Sequence, residues 1–163
     1  MSIPSSTNAR FSVQELAQVF AHGNSYDSLN LTLNATQWEV LGSYLQPFAL
    51  SPSQVLIDQG GTDRTVYLVE SGALSVHVED DEGHMTLAMV NAGSVVGEGA
   101  FFSRLPRNAS VVATGPCKLW GLTPIRFTEM GNRQPAVALD LAMALGAVVA
   151  KRLANKPKRA AVT

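Results

Sequence analysis

The apolar positions of this chain change period twice. Between Phe11 and Ala21 they fall at Val13, Leu16, Ala17, Val19 and Phe20, the spacing of a short amphipathic helix, which Gly23 stops. Asn34-Ala35-Thr36-Gln37 caps a second expected helix that carries Trp38, Val40, Leu41, Tyr44 and Leu45 inward and ends at Pro47. From Val55 the helical spacing is lost. Val55-Leu56-Ile57-Asp58 reads as a short strand, Gln59-Gly60-Gly61-Thr62-Asp63 as a turn, and Val66-Tyr67-Leu68-Val69-Glu70 as a strand leading to Ser71-Gly72. Leu74, Val76 and Val78 then alternate with Ala73, Ser75, His77 and Glu79, so that strand buries one face. Asp80-Asp81-Glu82-Gly83 is a polar hairpin tip, and Met85 to Val90 returns as the partner strand. Ala109 to Ala113 and Lys118 to Leu122 are further β-prone runs. Strands of this length at near-regular spacing predict an all-β roll or barrel.

Helical spacing returns near the end. Pro124 to Gly131 is one expected helix, and Pro135, well placed at a first helical position, opens another that runs to about Ala154. In this last helix Ala138, Ala142, Gly146, Ala150 and Ala154 recur as a stripe of small residues. Val137, Leu141, Leu145 and Val148 form a bulky stripe beside it. A helix so apolar must pack on something, and Asp140 and Lys151-Arg152 interrupt it too soon for a transmembrane span. It is either a buried helix of the monomer or a dimerisation helix, with the bulky stripe on the strands and the small stripe on a sister chain. The homodimer is the expectation adopted.

Charge and composition narrow the function. The 163 residues carry 12 Lys and Arg against 13 Asp and Glu, a net charge of −1, so no global field recruits nucleic acid or an anionic membrane. Lys156-Pro157-Lys158-Arg159 is short and has no interleaved aromatics, which reads as a solvated tail. The single Cys117 excludes an internal disulfide and fits a reducing compartment. His22, His77 and His84 lack metal-ligand spacing, so no metal is expected. The first ten residues lack a charged start and an apolar core, which argues against a secretory signal and for the cytoplasm. Ser94 and Ser103 are isolated hydroxyls, and neither a nucleophile elbow nor a phosphate-loop lysine appears, so no enzyme activity and no catalytic cofactor are expected.

The segment from Val96 to Ala113 carries the chemistry: Gly97-Glu98-Gly99, two aromatics, then Pro106-Arg107-Asn108-Ala109. An arginine offers a permanently charged fork of donors, and backbone N–H groups at a helix start aim at the same anion, so Arg107 and the turn after Gly97 suit one phosphate. Beside a phosphate a carboxylate needs a donor of its own, so Glu98 suits a sugar hydroxyl. Gly97 and Gly99 let the backbone come close to a ligand. The plain alternative is a surface turn with a Glu–Arg ion pair of little energetic weight. The dinucleotide fingerprint is excluded, because Phe102 stands where its third glycine belongs.

This segment resembles the phosphate-binding cassette of the cyclic nucleotide-binding domain family, to which catabolite activator proteins and protein kinase A regulatory subunits belong. Ile57-Asp58-Gln59-Gly60 and Val66 to Gly72 precede it in the family's order. The resemblance implies a mainly β fold with flanking helices, a double-stranded β-helix or jelly-roll-like β-roll with N-terminal and C-terminal α-helices. Residues 1–32 would be a polar segment with a short helix, 33–154 the binding domain with its C-terminal helices at 124–154, and 155–163 a basic tail. It further implies that Gly97, Glu98 and Gly99 line ribose and phosphate, that Arg107 pairs the cyclic phosphate, and that Asn108 and Ala109 donate beside it. Val76, Leu87 and Ala88 match positions that wall the base, though each also suits a plain core. Asn108 departs from the Ala, Ser or Thr frequent after the arginine, so cyclic AMP is expected over cyclic GMP by a modest margin. The doubled Gly60-Gly61 has no assigned contact. The resulting expectation is a cyclic nucleotide sensor that signals by movement of its C-terminal helix to an unidentified protein partner, without direct DNA or membrane binding. The alternative is an interaction module of the same fold that acts through that helix without nucleotide.

Overall fold

A computed structural model describes residues 10–155. The basic cluster at 156–159 therefore lies outside the described residues. The elements run α1 (Val13–Ala21), α2 (Ala35–Gly42), β1 (Gln46–Leu50), β2 (Val55–Ile57), β3 (Val66–Ser71), β4 (Ala73–Glu79), β5 (Met85–Asn91), β6 (Val95–Val96), α3 (Glu98–Ser103), β7 (Ser110–Ala113), β8 (Cys117–Leu122), α4 (Pro124–Arg133) and α5 (Pro135–Ala154).

The strands form two four-stranded antiparallel sheets, ordered β1-β8-β3-β6 and β2-β7-β4-β5. Together with the flanking helices this is the expected β-roll. The first sheet is apolar on both faces. Val69 and Leu119 point into the roll with Leu50, Leu74, Val76, Val90 and Val111, while Val66, Leu68, Trp120 and Leu122 point out to the helices. That is why Val66 to Val69 is a continuous apolar run and Leu74 to Val78 an alternating one: the second sheet keeps an outer face in water, where Val55, Met85, Leu87 and Met89 are exposed.

Leu16, Phe20, Trp38, Leu41, Met130, Leu141, Leu145 and Val148 bring α1, α2, α4 and α5 onto the first sheet. Each fully buried Leu or Val among them contributes about 1.5–3 kcal/mol. The start of α2 is a capping box: Asn34 Oδ1 accepts from Gln37 N at 2.8 Å and Gln37 Oε1 accepts from Asn34 N at 2.9 Å. The helix stops at Gly42 rather than running to Pro47. Pro47 instead lies within β1, an edge strand, where a missing N–H is tolerated.

On α5 the bulky stripe Val137, Leu141, Leu145 and Val148 is buried against the roll. The small stripe does not keep to one face. A four-residue step advances about 40° beyond a full turn, so Ala138 is buried, Ala142 half-buried, and Gly146, Ala150 and Ala154 exposed. The outward face carries Leu139, Met143 and Leu153 beside them. No helix among the described residues is long and apolar enough to cross a membrane.

Candidate functional site

The cassette begins at a backbone inversion. Gly97 follows β6 with φ +85° and stands at the N-cap of α3. A Cβ there would lie 2.5 Å from the Thr65 carbonyl oxygen and 2.8 Å from Arg107 Nη1, so both the dihedral and the space demand glycine.

Arg107 is 3% exposed, on the loop before β7. Its Nη1 donates to the Gly97 carbonyl at 2.9 Å, and its Nη2 donates to the Thr65 carbonyl at 2.6 Å and to Asp63 Oδ2 at 2.9 Å. Nε is buried with no hydrogen-bond partner among the described residues. A buried donor left in this way costs about 1–3 kcal/mol, a penalty expected where an external acceptor is to arrive. The backbone of Arg107 is pinned too. Its N–H donates to the Gly61 carbonyl and its carbonyl accepts from Gly60 N, both at 2.7 Å. The doubled glycine thus serves Arg107 through backbone bonds, and a Cβ on Gly61 would come within 2.9 Å of the Asp58 carbonyl.

Asp63 is a member of the site not singled out from the sequence. Partial burial pushes its carboxyl up, but hydrogen bonds from Arg107 and Thr65, with the arginine's charge, outweigh that and hold it below the usual carboxylate value. Thr65 Oγ1 donates to its Oδ1 at 2.9 Å.

Glu98 is fully buried at the start of α3, and its Oε1 accepts from Arg152 Nη1 at 2.7 Å. Arg152 projects from α5, and sequence reasoning sees it only as part of a basic helix end. The available signal is its place on the apolar stripe: it follows Leu141, Leu145 and Val148 at helical spacing, and a cation on a core-facing stripe needs buried partners. Those partners include Asp27 and Ser94, the latter no isolated hydroxyl, since it also donates to the Asp27 carbonyl at 2.7 Å.

A cleft of about 370 Å³ opens beside the cassette, bounded by Gly99 and Ala100 of α3, Leu105 and Asn108 of the following loop, and Val149 of α5. Its size falls in the range of small-ligand pockets. Gly97, Glu98, Gly99, Arg107, Asn108 and Ala109 are thus brought into one loop–helix unit, with Gly99 and Asn108 on the cleft and Ala109 buried behind it. The proposed base wall divides. Val76 and Ala88 face each other in register inside the roll, whereas Leu87 pairs with His77 on the outer face and is 60% exposed. Consecutive strand residues point opposite ways, so Leu87 and Ala88 cannot both line one wall. No group of three or more His, Cys, Asp or Glu suited to a metal is found among the described residues.

The fold and this loop–helix unit have parallels among known proteins. The sequence profile of the cyclic nucleotide-binding domain matches residues 47–134. A cAMP-dependent protein kinase regulatory subunit from Blastocladiella emersonii is 32% identical over 129 residues, which cover 78% of this chain and 30% of that protein. The cAMP-activated global transcriptional regulator CRP of Escherichia coli is 33% identical over 100 residues, 60% of this chain and 46% of the regulator. The chain spans less than half the length of either relative. A solved cyclic nucleotide-binding domain from Methylobacillus flagellatus shares the fold, with a TM-score of 0.76 at 19% identity over 91% of this chain and 85% of that one. With the profile covering more than half of its residues, this chain belongs to the cyclic nucleotide-binding domain family.

Proposed function

We propose that this chain is a sensor that binds cyclic AMP in preference to cyclic GMP and passes the event to a protein partner through α5. The observation that carries this reading is Arg107: a buried guanidinium at the rim of an α-helical cassette, with Nε lacking an acceptor. A cyclic phosphodiester has one negative charge, which one arginine and nearby backbone N–H groups balance without a metal. Glu98 would accept from the ribose 2′-hydroxyl, and the cleft beside Asn108 would receive part of the nucleotide. The two curated relatives are a cAMP-dependent subunit and a cAMP-activated regulator, which favours cyclic AMP.

Movement of α5 is the output this arrangement supports, because Val149 borders the cleft and Arg152 reaches Glu98. The outward face of the same helix, with Leu139, Met143 and Leu153, favours a homodimer. That face is also what a nucleotide-independent interaction module would use, and this is the second reading.

Titration calorimetry with cyclic AMP, cyclic GMP and a cyclic dinucleotide separates them. Cyclic AMP is expected to bind most tightly, equally well in excess EDTA. Arg107→Ala should lose about 2–5 kcal/mol of binding, tens to thousands of times in Kd, with the fold intact. Unchanged binding by that variant would remove the site, and no binding of any nucleotide by the wild type would leave the interaction module.

A further inference from the structure

The outer face of the second sheet leaves apolar side chains in water. Val55 and Met85 are exposed and Val112 is half-buried, and with Asp58, His77 and Glu79 they bound a groove of about 600 Å³. Its rim is held in place. Gln59 Nε2 donates to the Glu79 carbonyl at 2.8 Å and Gln59 Oε1 accepts from Glu79 N at 3.0 Å, which fixes the segment carrying Asp58 beside the end of β4. The charge around the groove has one sign. Asp80, Asp81 and Glu82 follow Glu79 at the hairpin tip, and no Lys or Arg occurs between Arg64 and Arg104. Among the described residues neither Asp58 nor Glu79 takes part in a salt bridge.

The opposite charge lies after α5. Lys156, Lys158 and Arg159 place three cations in four positions, Ala160, Ala161 and Val162 follow, and no acidic residue occurs after Asp140. A net charge of −1 thus conceals a separation of anionic hairpin and cationic end. We propose that the outer groove of the second sheet is the docking site of this chain's own basic segment, Lys156 to Val162, with its cations at Asp58 and Glu79 and its small apolar side chains against Val55 and Met85. Each exposed ion pair is weak. Attachment to α5 offsets that weakness, because a short tether supplies an effective concentration on the order of millimolar. The end of α5 lies beside the cassette through Arg152 and Glu98, and the cassette's Arg107 bonds to Gly60, the neighbour of Gln59 on the rim. Residues 156–163 extend over at most about 26–29 Å. Nothing in this contact requires a bound nucleotide.

The test reads the methionine ε-methyl groups of the full chain by NMR with isotope-labelled methionine: Met85 and Met89 report on the outer face, and the buried Met130 on the fold. The wild type is compared with a tail variant, Lys156→Ala with Lys158→Ala and Arg159→Ala, and with a groove variant, Asp58→Asn with Glu79→Gln. At about 20 mM salt the Met85 signal should differ between the wild type and the tail variant, with Met130 unmoved. At about 500 mM salt, where the pairs are screened, the wild-type signal should move to the tail variant's position. The tail and groove variants should show no such response to salt. A Met85 signal at one place in wild type and tail variant at low salt would overturn the proposal. So would a salt response that survives in the groove variant. Dilution identifies the source of the segment: no dependence places segment and groove in one chain, and a dependence seen in the wild type alone assigns the segment to a sister copy. A dependence shared by the tail variant would mean that a sister copy covers this face with another surface, which also overturns the proposal.

Discussion

Gly97 is where one added methyl should be felt most. Its φ of +85° strains any L side chain, and a Cβ would press on the Thr65 carbonyl and on Arg107 Nη1. Gly83, at the β4–β5 hairpin tip, has a similar φ of +82° but nothing within 4 Å of such a Cβ. Gly83→Ala should therefore cost the dihedral strain alone, about 1–2 kcal/mol. Gly97→Ala should cost more and also weaken nucleotide binding by displacing the guanidinium; urea unfolding and calorimetry on both variants measure the difference, and equal costs would show that close approach is unimportant at 97. Asp63 gives a pH-dependent counterpart. Its folded pKa lies below its unfolded value of about 3.9, so it stabilises the fold above that value and the contribution is lost as the pH falls through the folded one. Its side chain is 60% exposed, so the effect is small. Between about pH 6 and about pH 3 the wild type should lose more stability than Asp63→Asn, and identical acid sensitivity would mean that the pair carries no linkage.

Among the elements, α5 has the clearest division of labour. Its bulky stripe is committed to the roll, while Gly146 faces outward, with nothing within 4 Å of where a Cβ would stand. Gly146→Glu should thus leave the single chain folded and act only on a helix crossing between two copies, where an unpaired charge is costly. Sedimentation is expected to show a dimer for the wild type and a monomer for this variant. A wild type already monomeric at high micromolar concentration, or a variant that stays dimeric, would move the interface elsewhere or abolish it. Ala142, half-buried against the chain's own core, makes a less clean probe. The strands differ in how openly they declare themselves. β3 announces its two buried faces by an unbroken apolar run and β4 its single one by alternation, but β1 is hidden because Pro47 reads as a helix stop until an edge position is available to it.

At the scale of the whole molecule, what is legible in the sequence is what is local. Gly97, Glu98 and Arg107 lie within eleven consecutive positions, and their residue types state their needs: a left-handed turn, a partner for a carboxylate, a partner for a phosphate. The parts that escape are long-range. Asp63 meets Arg107 across 44 positions, and the doubled Gly60-Gly61 acquires its use only when the loop before β7 folds back on it. Leu87 is misplaced by one step of strand parity, which no composition reveals. The cluster around Arg152 is the extreme case, because it links positions 125 apart at Asp27 and 54 apart at Glu98. The Asp27 link closes a longer loop than any strand pairing, the widest of which joins Gln46 to Gly121, so it meets its entropy cost late in folding, after the sheets. This cluster is therefore a latch in time as well as in space: it should form after the main barrier, leaving the folding rate nearly untouched while slowing the rate at which the folded chain opens.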